Sequence, residues 1–160
     1  MGVSTDGQLS FGIMFDEGFQ FPWTDPDDEE GDGGLAAWWR RVNNMPEPAF
    51  YPYTEDGKYK QGVLVNDPRI DEYFLHRSDW LKANPIPIDL VEHCSISHQM
   101  YIISVPGLRF TASRGFPLEI APEQLQVTCA QRQLPIIFCE KWGIDMPDQP
   151  KWWLSSLAER

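Results

Sequence analysis

Asp28, Glu30, Asp32 and Gly33 occupy relative positions 1, 3, 5 and 6, where a calcium loop places its first carboxylates and its turn glycine. Position 12 of that register is Trp39 rather than the bidentate Glu that calcium requires, and the preceding "GFQFPWTDP" suits no entering helix. The carboxylates therefore read as a solvated acidic loop. His93, Cys94 and His98 are the local cluster with metal or nucleophile chemistry. Adjacent strand residues point to opposite faces, so His93 and Cys94 cannot jointly serve one zinc ion or one thiolate-imidazole pair. Cys94, Cys129 and Cys139 lie at wide spacing with no C-x-x-C pair, unlike a zinc site. No catalytic residue, metal or cofactor is expected.

The chain has no G-x-S-x-G, P-loop, dinucleotide fingerprint or H-E-x-x-H. "GDGG" could cradle a phosphate with backbone amides, but Glu29, Glu30 and Asp32 oppose an anion there. Arg77 interrupts an apolar helical stripe, so it must snorkel, pair with an acid or face a ligand. With Arg109 and Arg114 it forms the candidate set for an anionic ligand.

The charge is placed more tellingly than any motif. The net charge of -11 is concentrated in residues 1–39, which hold nine of the 24 acids and no Lys or Arg. Asp25, Asp27, Asp28, Glu29, Glu30 and Asp32 are flanked by Trp23 and Trp39, and these eight are the candidate partner-binding residues. Carboxylates would steer a basic partner and exposed tryptophans would anchor it. Phosphate backbones are disfavoured near this segment, so no direct nucleic-acid binding is expected.

The surrounding elements follow from periodicity. "DGQLSFGIMF" alternates Leu9, Phe11, Ile13 and Phe15 against Ser10, Gly12 and Met14, the pattern of a strand. A short helix is expected over 35–43, and "EDGK" reads as a hairpin tip in an otherwise loop-like stretch. Asp67 as cap and Pro68 at the first position open a helix that runs to Asn84, before Pro85. Ile70, Tyr73, Phe74, Trp80 and Leu81 form its stripe. A hairpin turning at Pro106-Gly107 would put Tyr101, Ile103, Val105, Leu108, Phe110 and Ala112 on one face, although those turn residues twist poorly for a tight hairpin. A helix entered at Pro122, another over 133–143 and a terminal strand or aromatic anchor complete the chain. In each Trp doublet, 38–39 and 152–153, one ring is expected in the core and its neighbour nearer the surface. The class is α+β, an antiparallel sheet with helices mainly on one face.

With 160 residues, 42% of them apolar, and seven Trp and nine Phe, the chain supports one domain. That domain spans 1–160, with an exposed acidic loop and short helix at about 16–44. The odd cysteine count suggests a reducing cytoplasm without disulfides, and neither a secretory segment nor a bilayer-spanning run is recognisable.

The opening "MGVSTDG", the following "DEG", and "MYIISV", "SRGFPLEI", "WGI" and "PKWWLSS" resemble small tailed-bacteriophage and prophage accessory proteins. That resemblance implies a bacterial host cytoplasm and a role in binding a host component. The leading expectation is a non-enzymatic protein that inhibits a host defence or nucleic-acid-processing factor with a basic surface. The alternatives are a protein that sequesters a small anionic ligand and a metal-dependent hydrolase using acidic-loop carboxylates.

Overall fold

A computed structural model describes residues 4–24, 34–46, 50–54, 58–63, 67–95, 98–113 and 115–159. The fold is α+β, and the described residues form a four-stranded, predominantly antiparallel sheet and three α-helices. The chain divides into two compact units, one of residues 1–21 and 87–160 and the other of residues 22–86.

The first unit is a small closed barrel. Its strands β1 (Ser4–Phe15), β2 (Asp89–Ser95), β3 (His98–Ala112) and β4 (Lys151–Glu159) run in the order β1-β3-β2-β4. β1 is antiparallel to β3 on one side and to β4 on the other. One parallel pair, Cys94 with Leu157, joins β2 to β4 and closes the barrel. The alternation of β1 appears as expected: Phe11, Ile13 and Phe15 are buried on one face. On the opposite face Gln8, Ser10 and Gly12 are buried as well, although Arg109 and Thr111 beside them on β3 are exposed.

Pro106-Gly107 does not turn a hairpin. β3 continues through it, and both flanks pair with β1: Ser10 opposes Arg109 and Gly12 opposes Ser104, so Phe11 faces the four residues 105–108. Proline removes a ladder donor and Gly107 adopts a φ of 80°, which loops the chain out without reversing it. The hairpin lies earlier, where Ser95 registers with His98 between β2 and β3. Because β3 is covered on both sides, Ile102, Ile103, Ser104 and Val105 are buried in succession, and the expected two-residue alternation fails there.

Helix α3 (Cys129–Trp142) packs on β1 and β3. Phe11, Val105 and Leu108 form a cluster against Val127, Leu134 and Trp152. α3 starts four residues before the expected boundary: Thr128 and Gln131 form a reciprocal capping box, while Pro135 lies inside the helix. Pro122 opens only a single 3-10 turn, Pro122–Leu125. Phe15, Phe19 and Phe21 stack edgewise at 4.6–5.0 Å, and Phe21 meets Tyr101 at 5.8 Å. Trp152 and Trp153 are both half-buried, on opposite faces of β4, so neither is the surface ring of the doublet. Trp152 meets Phe11, whereas Trp153 donates its Nε1 to the Gly12 carbonyl.

The second unit contains α1 (Leu35–Val42) and α2 (Pro68–Ala83). Asp67 caps α2 as expected, accepting from the Arg69 amide at 3.0 Å. Between the helices, Tyr53 and Tyr59 form an isolated antiparallel bridge. It flanks the expected hairpin tip, whose residues 55–57 lie outside the described residues.

Candidate protein-binding surface

The second unit concentrates aromatic rings in two groups with opposite exposure. In the first, Trp23 packs on Trp38 at 5.3 Å and Trp38 on Trp39 at 6.2 Å. Trp39 also donates its Nε1 to the Asn84 carbonyl at 2.9 Å, tying α1 to the end of α2. Trp23 and Trp39 are only 6% and 8% exposed, so neither is the surface anchor expected from the sequence. Trp38 is buried as well, which removes the expected inside-outside split of that doublet. The amphipathic α1 turns both tryptophans inward, where large apolar rings remove the most surface from water.

The second group is tyrosine-rich and outward-facing. Tyr51 contacts Tyr53 and Tyr73 at 6.0 and 5.5 Å, Tyr53 stacks on Tyr59 at 5.2 Å, and Tyr73 meets Phe74 at 5.3 Å. Tyr73 is buried and supports the others, while Tyr51 is 45% exposed, Phe74 48% and Leu75 58%. Tyr59 is also exposed. The bridge holding Tyr59 is locked locally: the Thr54 amide donates to Lys58 O at 2.7 Å, and the Lys60 amide donates to Pro52 O at 2.8 Å. Exposed rings fixed in this way lose little freedom on meeting a partner.

Cations sit on several of these rings. Lys60 Nζ lies 5.5 Å from the Tyr51 centroid and Arg69 lies 4.4 Å from that of Phe50. Arg69 is also paired with Asp67 at 2.6 Å. That contact holds the Asp67 carboxyl below its usual range and the guanidinium above its own. Arg77, expected either to cover apolar surface or to meet a ligand, donates to Tyr73 Oη and lies over the same ring. Its place in the apolar stripe thus has an intramolecular explanation, a cation stacked on the buried tyrosine below it.

The other sequence candidates are dispersed. Arg109 is exposed on β3 of the barrel unit. Arg114 and the carboxylates Asp25, Asp27, Asp28, Glu29, Glu30 and Asp32 lie outside the described residues. Asp16 and Glu17, at the start of the acidic region, are exposed. His93 is buried in β2, and burial pushes its imidazole below the ordinary range. The side chains of Cys94 and His98 are outside the described set. Cys129 and Cys139 are free; burial, helped by Glu140, pushes the Cys139 thiol up to about 12. Among the described residues, no group of three His, Cys, Asp or Glu side chains could hold a metal ion. No described helix is long and apolar enough to cross a membrane.

Tyr51, Tyr59 and Phe74 were not singled out as site residues in the sequence. Phe74 reads there as part of the buried stripe of α2, and "YPYTEDGKYK" reads as loop. The available signal was the repetition of tyrosines on both sides of a hairpin tip. No known protein family, curated protein or solved structure matches the chain.

Proposed function

We propose that the protein is a non-enzymatic phage accessory protein that binds and inhibits a bacterial host protein, a defence or nucleic-acid-processing factor with a basic surface. The observation that carries this reading is the exposed aromatic group of Tyr51, Tyr59 and Phe74, supported from beneath by Tyr73. Rigid tyrosines and phenylalanines that bury on association are typical sources of interface affinity. They take the anchoring role first given to Trp23 and Trp39, whose burial commits them to the fold.

Electrostatics supplies the partner's sign. Residues 22–86 carry 13 Asp and Glu against seven Lys and Arg, and six of those acids fall between Asp25 and Asp32. Such an excess accelerates encounter with a basic surface, while the aromatic group governs how long the complex lasts.

The test is affinity purification from host lysate with the wild-type chain and with a Tyr51→Ala, Phe74→Ala variant as baits. Recovery of one host protein by the wild type, lost in a variant that melts at a similar temperature, supports the reading. Equal recovery by both baits rejects it.

A further inference from the structure

The barrel is closed unevenly. β4 pairs with β1 along its whole length, from Lys151 opposite Gly12 to Glu159 opposite Ser4, without a register shift. Among the described residues it meets β2 only where Leu157 opposes Cys94. From Lys151 to Ser156 the seam side of β4 therefore has no ladder partner. Natural proteins blunt such strand edges with charge, proline or a bulge. "WWLSS", residues 152–156, has neither charge nor proline, and its pairing with β1 is regular.

An apolar row ends at the same edge. Leu9 registers with Phe110 on β3 and with Leu154 on β4, so the three side chains lie abreast on one face. Leu9 and Phe110 are half-buried, whereas Leu154, the outermost of the three, is 83% exposed. The tryptophans before it lean the other way, towards β1 and β3. Trp152 meets Phe11 and Phe110 at 5.4 and 6.0 Å, and Trp153 donates to the Gly12 carbonyl at 3.0 Å, so neither ring overhangs the seam.

We propose that a second copy of the chain pairs on this edge, β4 against β4 and antiparallel, with Leu154 opposite its own counterpart. A two-fold axis through the Leu154 pair sets residue 152 opposite 156 and 153 opposite 155. Each tryptophan then opposes a serine, and the central leucines are the only bulky side chains that face each other. Directly opposed residues share a face, so the apolar row of one copy runs on into that of the other. The charge pattern fits a copy as well. With no charged side chain between 152 and 156, two chains of net charge -11 meet where their mutual repulsion is least. A strand of unrelated sequence would gain the backbone bonds without this match. Because the ladder is short, the dimer forms on concentration and dissociates on dilution. The contact lies wholly within the first unit and is independent of the partner-binding reading.

Sedimentation velocity of the full chain over a wide concentration range should show a monomer-dimer equilibrium. Leu154→Lys should abolish the dimer while leaving the melting temperature nearly unchanged, since the side chain it replaces is already in solvent. Mild oxidation reads the register. In a Cys129→Ser background, which removes the exposed native thiol, Leu154→Cys should cross-link two chains, because directly opposed residues lie within disulfide reach. Ser156→Cys in the same background should not, because its counterpart is set four residues along the ladder. A wild type that stays monomeric at every concentration, a dimer that survives Leu154→Lys, or cross-linking as ready through Ser156→Cys as through Leu154→Cys would each overturn the proposal.

Discussion

Gly12 lies so close to β3 that a Cβ built on it would meet the Ile103 carbonyl oxygen at 2.1 Å. The approach occurs beside the loop-out of β3, where Gly12 opposes Ser104 and the Ser104 hydroxyl reaches the Phe11 carbonyl. Both contacting groups are backbone in paired strands, so relief requires the β1-β3 ladder to move. Gly12→Ala is expected to destabilise the barrel by about 3 kcal/mol or more, at the upper end of overpacking costs. Gly107→Ala is the control: its added Cβ meets nothing within 4 Å, and only the φ of 80° opposes it, at roughly 1 kcal/mol. Urea denaturation of the two variants compares them, and equal midpoints would refute the close approach.

This region also marks where the sequence stops being legible. The strand pattern of β1 was readable because one apolar side chain alternates with one small or polar side chain. The cap and first turn of α2 were readable because Asp67-Pro68 acts locally. The path through Pro106-Gly107 depends on where β1 lies, which no local preference encodes. Likewise, the Thr128-Gln131 capping box is present in the sequence, but proline suits the first turn of a helix better than its interior, so Pro135 favours the expected start near 133. For the candidate surface, the aromatic content was visible but its direction was not. Trp39 is turned inward by its bond to Asn84, 45 residues away, whereas Phe74 is displaced outward from a stripe it fits by spacing alone.

Burial keeps the folded-state pKa of His93 below its ordinary value of 6.5. The unfolded chain therefore takes up this proton at a higher pH than the folded chain does. Stability from the neutral ring is present above about 6.5 and declines as pH falls through that value towards the folded-state pKa. Denaturant midpoints followed from neutral to mildly acidic pH should fall more steeply for the wild type than for His93→Gln. Parallel slopes would show that this histidine does not set the acid sensitivity.

Cys129 and Cys139 stand at opposite ends of accessibility on the same helix. Cys129 is exposed at the start of α3, whereas Cys139 is buried with its thiol held at about 12, which leaves almost no thiolate at neutral pH. Alkylation of the native protein at about pH 8, mapped by peptide mass spectrometry, should mark Cys129 and spare Cys139 until denaturant is added. Rapid native labelling of Cys139 would mean that α3 opens from the barrel far more readily than its packing implies.

The two aromatic groups of the second unit separate stability from binding. Trp39→Phe removes the Nε1 bond to Asn84 and leaves that carbonyl without its indole donor, so it should destabilise the unit by about 1–2 kcal/mol. Its effect on partner binding should be small wherever the fold persists. Phe74→Ala removes a ring already half in solvent and should leave melting nearly unchanged while speeding dissociation, at a cost of about 2 kcal/mol or more in affinity. Replacing Asp27, Asp28, Glu29 and Glu30 by Asn and Gln should act differently again, slowing association and flattening its salt dependence with little change in dissociation. Association and dissociation rates measured at two ionic strengths with the purified partner resolve the three classes. A four-charge variant with unaltered association would remove the steering role from the acidic run, and unaltered dissociation in Phe74→Ala would remove the anchor from α2.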